Sequence, residues 1–473
     1  MLDTRNPELK VSRRVEAADI AWASSFDDPE VHRKARAVFK SLVWSTETPR
    51  PLRLALVDKL LTDETPEGSA DSRRFTTLRL PTEPDRAVVG MMALAAARNG
   101  WTEVSPSLVR RLAEPIRGIP DGERVEARAL RALHPGEPLD RIVFDIFTNP
   151  GLSDTPRELD WASRVRADAW ALLSRLDPGG DIRRSLIHDP GPAALSSAGP
   201  LLNDLRAAAD DLGVVPDSAA ELEWISALRD PDDARSRAWW NESASIVARL
   251  GPEQRAYLHL RHIEPIRLAA RKSPKLLTMS RDELLGMLRG RLGDRPHHRR
   301  TAELDGIRKE TSERLDAWAD RMSWGDALAV LMIDDAVRSP GVVSALFQQV
   351  ALDRQDTKTE YGGVIEAVSG PDGRPGAYRV VLFPPRPRDR VNDERFIASR
   401  DMVRYADRAL AQYHLHVQRP RNTKYAGPSG GDLRNARMSG RNSVVFTSLS
   451  RTRLGVDYYQ PDGVVLDLGE ITR

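Results

Sequence analysis

The chain has 473 residues, more than one ordinary hydrophobic core serves, so length alone predicts two or three domains. Apolar residues make up 40% and charged residues 30%, the balance of a soluble globular protein, and 71 basic against 69 acidic residues give no global attraction to a polyanion. There is no Cys, which excludes disulfides, thiolate metal sites and a Cys nucleophile, so any metal site must draw on His, Asp and Glu.

Residues 1–15 mix charge and polarity and lack the apolar stretch of a signal peptide, so a cytoplasmic location is expected. The most apolar run, Ala87 to Ala97, is about half the length a bilayer requires and reads as a buried helix; no membrane segment is expected. From about residue 8 to 340, segments carry apolar positions at i, i+3, i+4 and i+7, the mark of amphipathic helices. Val31, Ala35, Val38, Phe39 and Leu42 form one such face, and Asp28-Pro29 and Ser105-Pro106 read as helix starts. Thr155 to Glu158 and Ser280 to Glu283 have capping-box spacing.

Short helices with Pro and Gly between them predict stacked helical pairs, an α-solenoid (HEAT-like) or an irregular helical bundle. The Pro-, Gly- and Ser-rich stretch 188–200 is the linker candidate, separating a helical domain over 1–190 from a second helical block over 200–340. That block is expected to end in a charged helix over 301–322 and an apolar one over 324–337. Beyond Pro340-Gly341 the pattern changes. A helix to about Asp356 is followed by strand-like runs at 363–368, 378–383, 443–448 and 464–468, with a helix over 398–411 and a hairpin signal at Gly370 to Gly373. Residues 342–473 are therefore expected to form an α+β domain.

Three His pairs occur among nine His residues. His414 and His416, two apart on a strand, share one face and can converge on one point, as a metal site requires. His259 and His262, three apart in a helical stretch, share a helix face but have no evident third ligand. His297 and His298 read as loop residues. Asp432 follows Pro-Ser-Gly-Gly at a helix start, where it serves either as a cap or as a rigidly held ligand. Glu360 precedes Gly362-Gly363, and those glycines permit close backbone approach beside it.

Glu360, His414-Leu415-His416 and Ser429-Gly430-Gly431-Asp432, in that order, resemble the JAMM metalloproteases of the MPN (JAB-domain) superfamily, whose pattern is Glu, then His-x-His, then Ser-x-x-Asp opening a helix. The resemblance covers 342–473. It implies Zn²⁺ held by His414, His416 and Asp432, with Glu360 as acid–base and Ser429 as oxyanion donor. The implied reaction is hydrolysis of a peptide or isopeptide bond in a protein or peptide substrate. One departure stands out. Twelve residues, Val417 to Pro428, separate the second His from Ser429, longer than the family's usual spacing, and Val417 replaces the usual Pro.

Arg419, Arg421, Lys424 and Tyr425 lie in that loop as candidates for a substrate-facing lip, and Asp457 and Asp467 as candidates to brace the His ligands. The helical region would bind substrate or a protein partner. The rival reading is a non-catalytic interaction scaffold with a degenerate MPN-like domain. A nucleic-acid-binding helical repeat is not expected, because no long basic run appears.

Overall fold

The computed structural model describes residues 2–151, 160–297, 300–304, 307–311, 313–369, 375–390, 392 and 396–473. The chain is mostly helical, with a six-stranded mixed sheet near its C-terminus, so a helical region joined to an α+β region is the observed class. It divides into two compact units, Met1–Ala198 and Gly199–Arg473. The boundary falls inside the expected linker, yet that stretch is helical. A helix over Pro192–Asp211 breaks at Ala198 (φ −136°, ψ 22°), two residues before Pro200. Proline lacks an N–H and crowds the preceding turn, which accounts for the kink. Residues on both sides of 340 belong to the second unit.

Unit Met1–Ala198 is built of short helices. Asp28 caps the helix Pro29–Trp44, accepting from Glu30 N–H at 2.8 Å and Val31 N–H at 3.3 Å. The buried face of that helix is His32, Ala35, Arg36, Phe39 and Val43, not the face centred on Val31 and Val38. The helix is rotated because His32 and Arg36 both reach the buried carboxylate of Asp63 and leave Val31 in solvent. Ser105–Ala113 is a helix with Pro106 in its first turn, as expected. Leu139–Thr148 packs against Trp161–Leu176, with the Phe147 and Trp170 rings 4.7 Å apart. Thr155 to Glu158 lie outside the described residues.

In the second unit the expected charged helix over 301–322 is replaced by two antiparallel strands, β1 (Arg300–Leu304) and β2 (Ile307–Thr311), and two short turns of 3-10 helix at Leu315–Ala317 and Ala319–Arg321. Asp305-Gly306 is the two-residue hairpin signal, and it outweighs the charge periodicity around it. Ser280 and Glu283 form the expected capping box. The helix Trp324–Val337 is buried on nearly every side and is the hub of this unit. Its N-terminus is closed by a second capping box, Ser323 with Asp326.

Asp326 also organises the pair His259 and His262. His262 sits in a 3-10 turn, and its Nδ1 accepts the His259 N–H at 3.1 Å, so its Nε2 carries the proton that faces Asp326 Oδ1 at 2.9 Å. Arg261 donates to the same oxygen. His259 pairs instead with Asp217. These two His residues are structural.

The sheet runs β4-β3-β5-β6-β7-β8, with β3 Gly362–Ser369, β4 Pro375–Leu382, β5 Ala411–His416, β6 Ser443–Ser448, β7 Arg453–Tyr459 and β8 Val465–Thr472. All neighbours are antiparallel except β5 and β6, which are parallel. A parallel pair needs a crossover, and the helix Gly430–Ser439 supplies it. The helix expected over 398–411 is only Arg400–Tyr405 plus one 3-10 turn, Ala406–Arg408. It stops where Arg441 takes the Ala406 carbonyl and Trp224 the Asp407 carbonyl, and the chain then enters the sheet. Gly370 to Gly373 lie outside the described residues.

Successive side chains of β5 point to opposite faces. Tyr413 hydrogen-bonds Gln349 of the helix Pro340–Asp353. His414 and His416 face the other way, the side on which Leu433 and Ala436 of the crossover helix pack with Val445, Tyr459 and Val465. Both faces of the central strands are covered, and β5 and β6 are buried along their whole length.

The His262 geometry sets a pH dependence. Burial, then the neighbouring Arg261 charge, push its pKa down to about 4. An unfolded chain protonates this residue near pH 6.5, so the unfolded state binds more protons between about 6.5 and 4, and stability falls as pH drops through that window. The expected loss from this residue between pH 7.5 and 5 is about 2 kcal/mol. Denaturant unfolding of wild type and His262→Gln across that range checks it: the variant, although less stable at neutral pH, should show a flatter pH dependence, and an equal slope contradicts the assignment.

Candidate metal centre

Three consequences of the fold bring distant residues together. The pairing Gly362↔His414 and Gly363↔Tyr413, with Leu415 N–H bonded to Tyr361 O at 2.9 Å, carries Glu360 beside the end of β5 where His416 stands. The crossover returns the chain so that the N-terminus of Gly430–Ser439 faces the same spot. The glycines make the approach possible. A Cβ on Gly362 would stand 2.5 Å from the Tyr413 carbonyl and 2.6 Å from the Phe396 ring, and one on Gly363 would overlap the Val381 carbonyl.

The His414 and His416 Nε2 atoms lie 3.2 Å apart. Asp432 Oδ1 is 3.4 Å from His414 Nε2, and Asp432 Oδ2 is 3.9 Å from His416 Nε2. Glu360 Oε1 is 3.9 Å from His416 Nε2. Glu360, His414 and His416 form a buried triad whose ligand atoms all lie within 4.8 Å of one another, and this triad could hold a metal ion. A tetrahedral ion with bonds of about 2.0–2.1 Å places its ligand atoms about 3.3–3.4 Å apart, so the His414–His416 and His414–Asp432 separations fit one shell, while Asp432 Oδ2 and Glu360 Oε1 each lie 3.9 Å from His416 Nε2. Two carboxylates and two neutral imidazoles also balance the charge of a divalent ion. Thr447, the register partner of His416 on β6, presents a buried hydroxyl with no hydrogen-bond partner among the described residues, a further polar group beside the cluster.

Asp432 is not the helix N-cap that its position suggested. Ser429 is the cap, and Asp432 is the third residue of a capping box. Ser429 Oγ accepts the Asp432 N–H at 3.2 Å, and Asp432 Oδ2 accepts the Ser429 N–H at 2.6 Å. The cap therefore aims the carboxylate: one oxygen is tied to backbone while the other meets His414.

The long loop from Val417 to Pro428 is a bracing layer. His416 Nδ1 lies 2.9 Å from the Tyr425 carbonyl, which can only accept, so Nδ1 carries the proton and Nε2 presents its lone pair to the cluster. Asn422 is buried. It donates to the His416 carbonyl at 3.2 Å and to Gln418 Oε1 at 2.8 Å, and Gln418 Nε2 in turn donates to Glu360 Oε1 at 2.7 Å. The Asn422 N–H is fixed on the Ser448 carbonyl at 2.7 Å, and Arg354 holds the Val417 carbonyl. On the far side of His414, the Tyr459 hydroxyl is 3.4 Å from Nδ1 and the Phe396 ring stacks at 6.0 Å. Burial pushes the His414 pKa down, but the Asp432, Glu360 and Asp353 carboxylates together turn the net direction up. Burial likewise raises Asp432, yet the neighbouring His414 and His416 rings and the Ser429 N–H hold it well below the usual carboxylate range.

Gln418, Asn422, Tyr425 O and Tyr459 were not found as bracing groups from the sequence, and a backbone carbonyl leaves no sequence signal. Asp467, one proposed brace, instead accepts the Gly469 N–H and lies 3.7 Å from His297. His297 is a loop residue, as expected, though partly buried, and His298 is outside the described residues. Arg419, Arg421, Lys424 and Tyr425 have exposed side chains on the loop. One other chemical constellation exists in the first unit: Ser25 Oγ, His32 and Asp63 form a hydrogen-bonded row. Ser25 is wholly buried and spends its hydroxyl on the Trp22 carbonyl, so this row is a structural cluster and not a nucleophile.

Comparison with known protein families, curated proteins and solved structures gave no match for the chain. The bracing role of Asn422 is directly testable. Asn422→Ala should weaken metal binding by roughly 10–100-fold, the usual consequence of removing a partner behind a ligand. Competition against a chromophoric chelator measures it, and unchanged affinity in a folded variant contradicts the role.

Proposed function

We propose that this chain is a zinc-dependent metallopeptidase of the JAMM type, hydrolysing a peptide or isopeptide bond. The observation that carries this reading is the convergence of His414, His416 and Asp432 at ligand spacing, with Glu360 beside them. Mixed imidazole and carboxylate donors in a tetrahedral arrangement suit zinc. The ordered motif and its resemblance to the MPN superfamily agree with it.

The two carboxylates take different roles. Asp432 meets both imidazoles and is the third ligand. Glu360 lies 3.9 Å from His416 Nε2 and is fixed by Gln418, which suits a base held near the ion. When bound, zinc would lower the pKa of a water toward about 7 and polarise a carbonyl. Glu360 takes the proton of the attacking water at its carboxylate and returns it to the leaving amine. Ser429 accepts at the cap through a lone pair, so its own hydroxyl hydrogen can be donated to the developing oxyanion. The open approach is from the side of Ser429, which is exposed, whereas Glu360 and both His residues are buried. The helices of Met1–Ala198 serve substrate or partner binding in this reading.

Elemental analysis of protein never exposed to chelator should give close to one zinc per chain, falling away in His416→Ala; less than about one-tenth equivalent contradicts the reading. Glu360→Gln should keep the metal while hydrolysis of a mixed peptide library drops about 10²–10⁴-fold. Undiminished hydrolysis by that variant removes Glu360 from the mechanism.

A further inference from the structure

The loop that braces the cluster also carries charge with nothing to answer it. Between Val417 and Met438 stand Arg419, Arg421, Lys424, Arg434 and Arg437, against one acid, Asp432, which faces the imidazoles. All five cations are exposed, and no hydrogen bond or ion pair engages any of them among the described residues. Several Arg side chains elsewhere in the unit are paired, Arg267 and Arg271 with Glu242, Arg295 and Arg338 with Asp334, Arg390 with Asp356 and Arg441 with Asp407.

Their position is tied to the candidate centre. Lys424 adjoins Tyr425, whose carbonyl holds His416; Arg419 and Arg421 bracket Pro420, whose carbonyl takes the Ser448 hydroxyl; Arg434 lies two residues past Asp432. Arg421 is followed directly by the buried Asn422, so the cations ride on an anchored backbone and a bound partner orders only side chains. The exposed Tyr425 ring, with the Lys424 ammonium 5.8 Å from its centroid, adds a flat apolar surface at the same edge.

We propose that the loop from Val417 to Pro428 selects acidic peptides, holding Asp or Glu side chains close to the scissile bond against Arg419, Arg421 and Lys424. This rests on the metallopeptidase reading and names its substrate class. A nucleic acid is the weaker occupant, because the chain as a whole is nearly neutral.

The test is cleavage-site profiling by mass spectrometry, with metal-replete full-length protein and a peptide library of mixed sequence. Cut sites should be enriched in nearby Asp and Glu, and the enrichment should shrink as salt screens the exposed charges. The triple variant Arg419→Glu, Arg421→Glu, Lys424→Glu should reverse the preference toward Lys and Arg. Should the triple variant fail to fold, Arg421→Glu alone should narrow the preference several-fold. Cleavage with no acidic enrichment, or enrichment that survives charge reversal, overturns the proposal and leaves the peptidase reading standing. Failure of metal-replete protein to cut any peptide overturns both, as does cleavage of a single-stranded oligonucleotide in place of peptides.

Discussion

The parallel pairing of β5 with β6 is the constraint on which the rest depends. Antiparallel neighbours can be joined by a tight turn, but a parallel pair forces the chain to cross over, and here the crossover is the helix Gly430–Ser439. That single connection sets the end of one strand, bearing His416, against the start of a helix, bearing Ser429 and Asp432. The antiparallel partner β3 then delivers Glu360 from the opposite side. Four side chains separated by up to seventy-two positions, Glu360 to Asp432, meet because of strand order and register.

Within that frame, local chemistry fixes each donor. Asp432 is aimed by a capping box, an arrangement whose usual purpose is to satisfy two orphan N–H groups. His416 has its tautomer set by a backbone carbonyl, and Glu360 is reached through a relay from Asn422 to Gln418. Gly362 and Gly363 bring β3 close enough for the relay to close. Removing any one element leaves buried polar groups without partners, at a cost of about 1–3 kcal/mol each. The cluster is thus coupled to the stability of the central strands around it.

The sequence was most informative where period and chemistry coincided. His-x-His on a strand, and Ser-x-x-Asp opening a helix, each imply a side-chain direction, and the described geometry places those atoms together. The strand runs near 363–368 and 443–448 were legible for the same reason. What was not legible depended on partners far along the chain. The face of Pro29–Trp44 is rotated by Asp63, which no helical periodicity reveals. The hairpin in 300–311 was hidden by its charge pattern although Asp305-Gly306 marked it. The long loop between His416 and Ser429 read only as a departure from the family's spacing, and its anchoring shows only in space, through one buried Asn and one carbonyl.

The central claim is that His414, His416 and Asp432 bind one ion as a shell of nitrogen and oxygen donors. X-ray absorption at the zinc edge of the as-purified protein tests this most directly. The account predicts nitrogen and oxygen neighbours at about 2.0–2.1 Å with the outer-shell scattering of two imidazoles, and loss of one imidazole in His416→Ala. A spectrum lacking imidazole scattering, or one unchanged by that substitution, would contradict it.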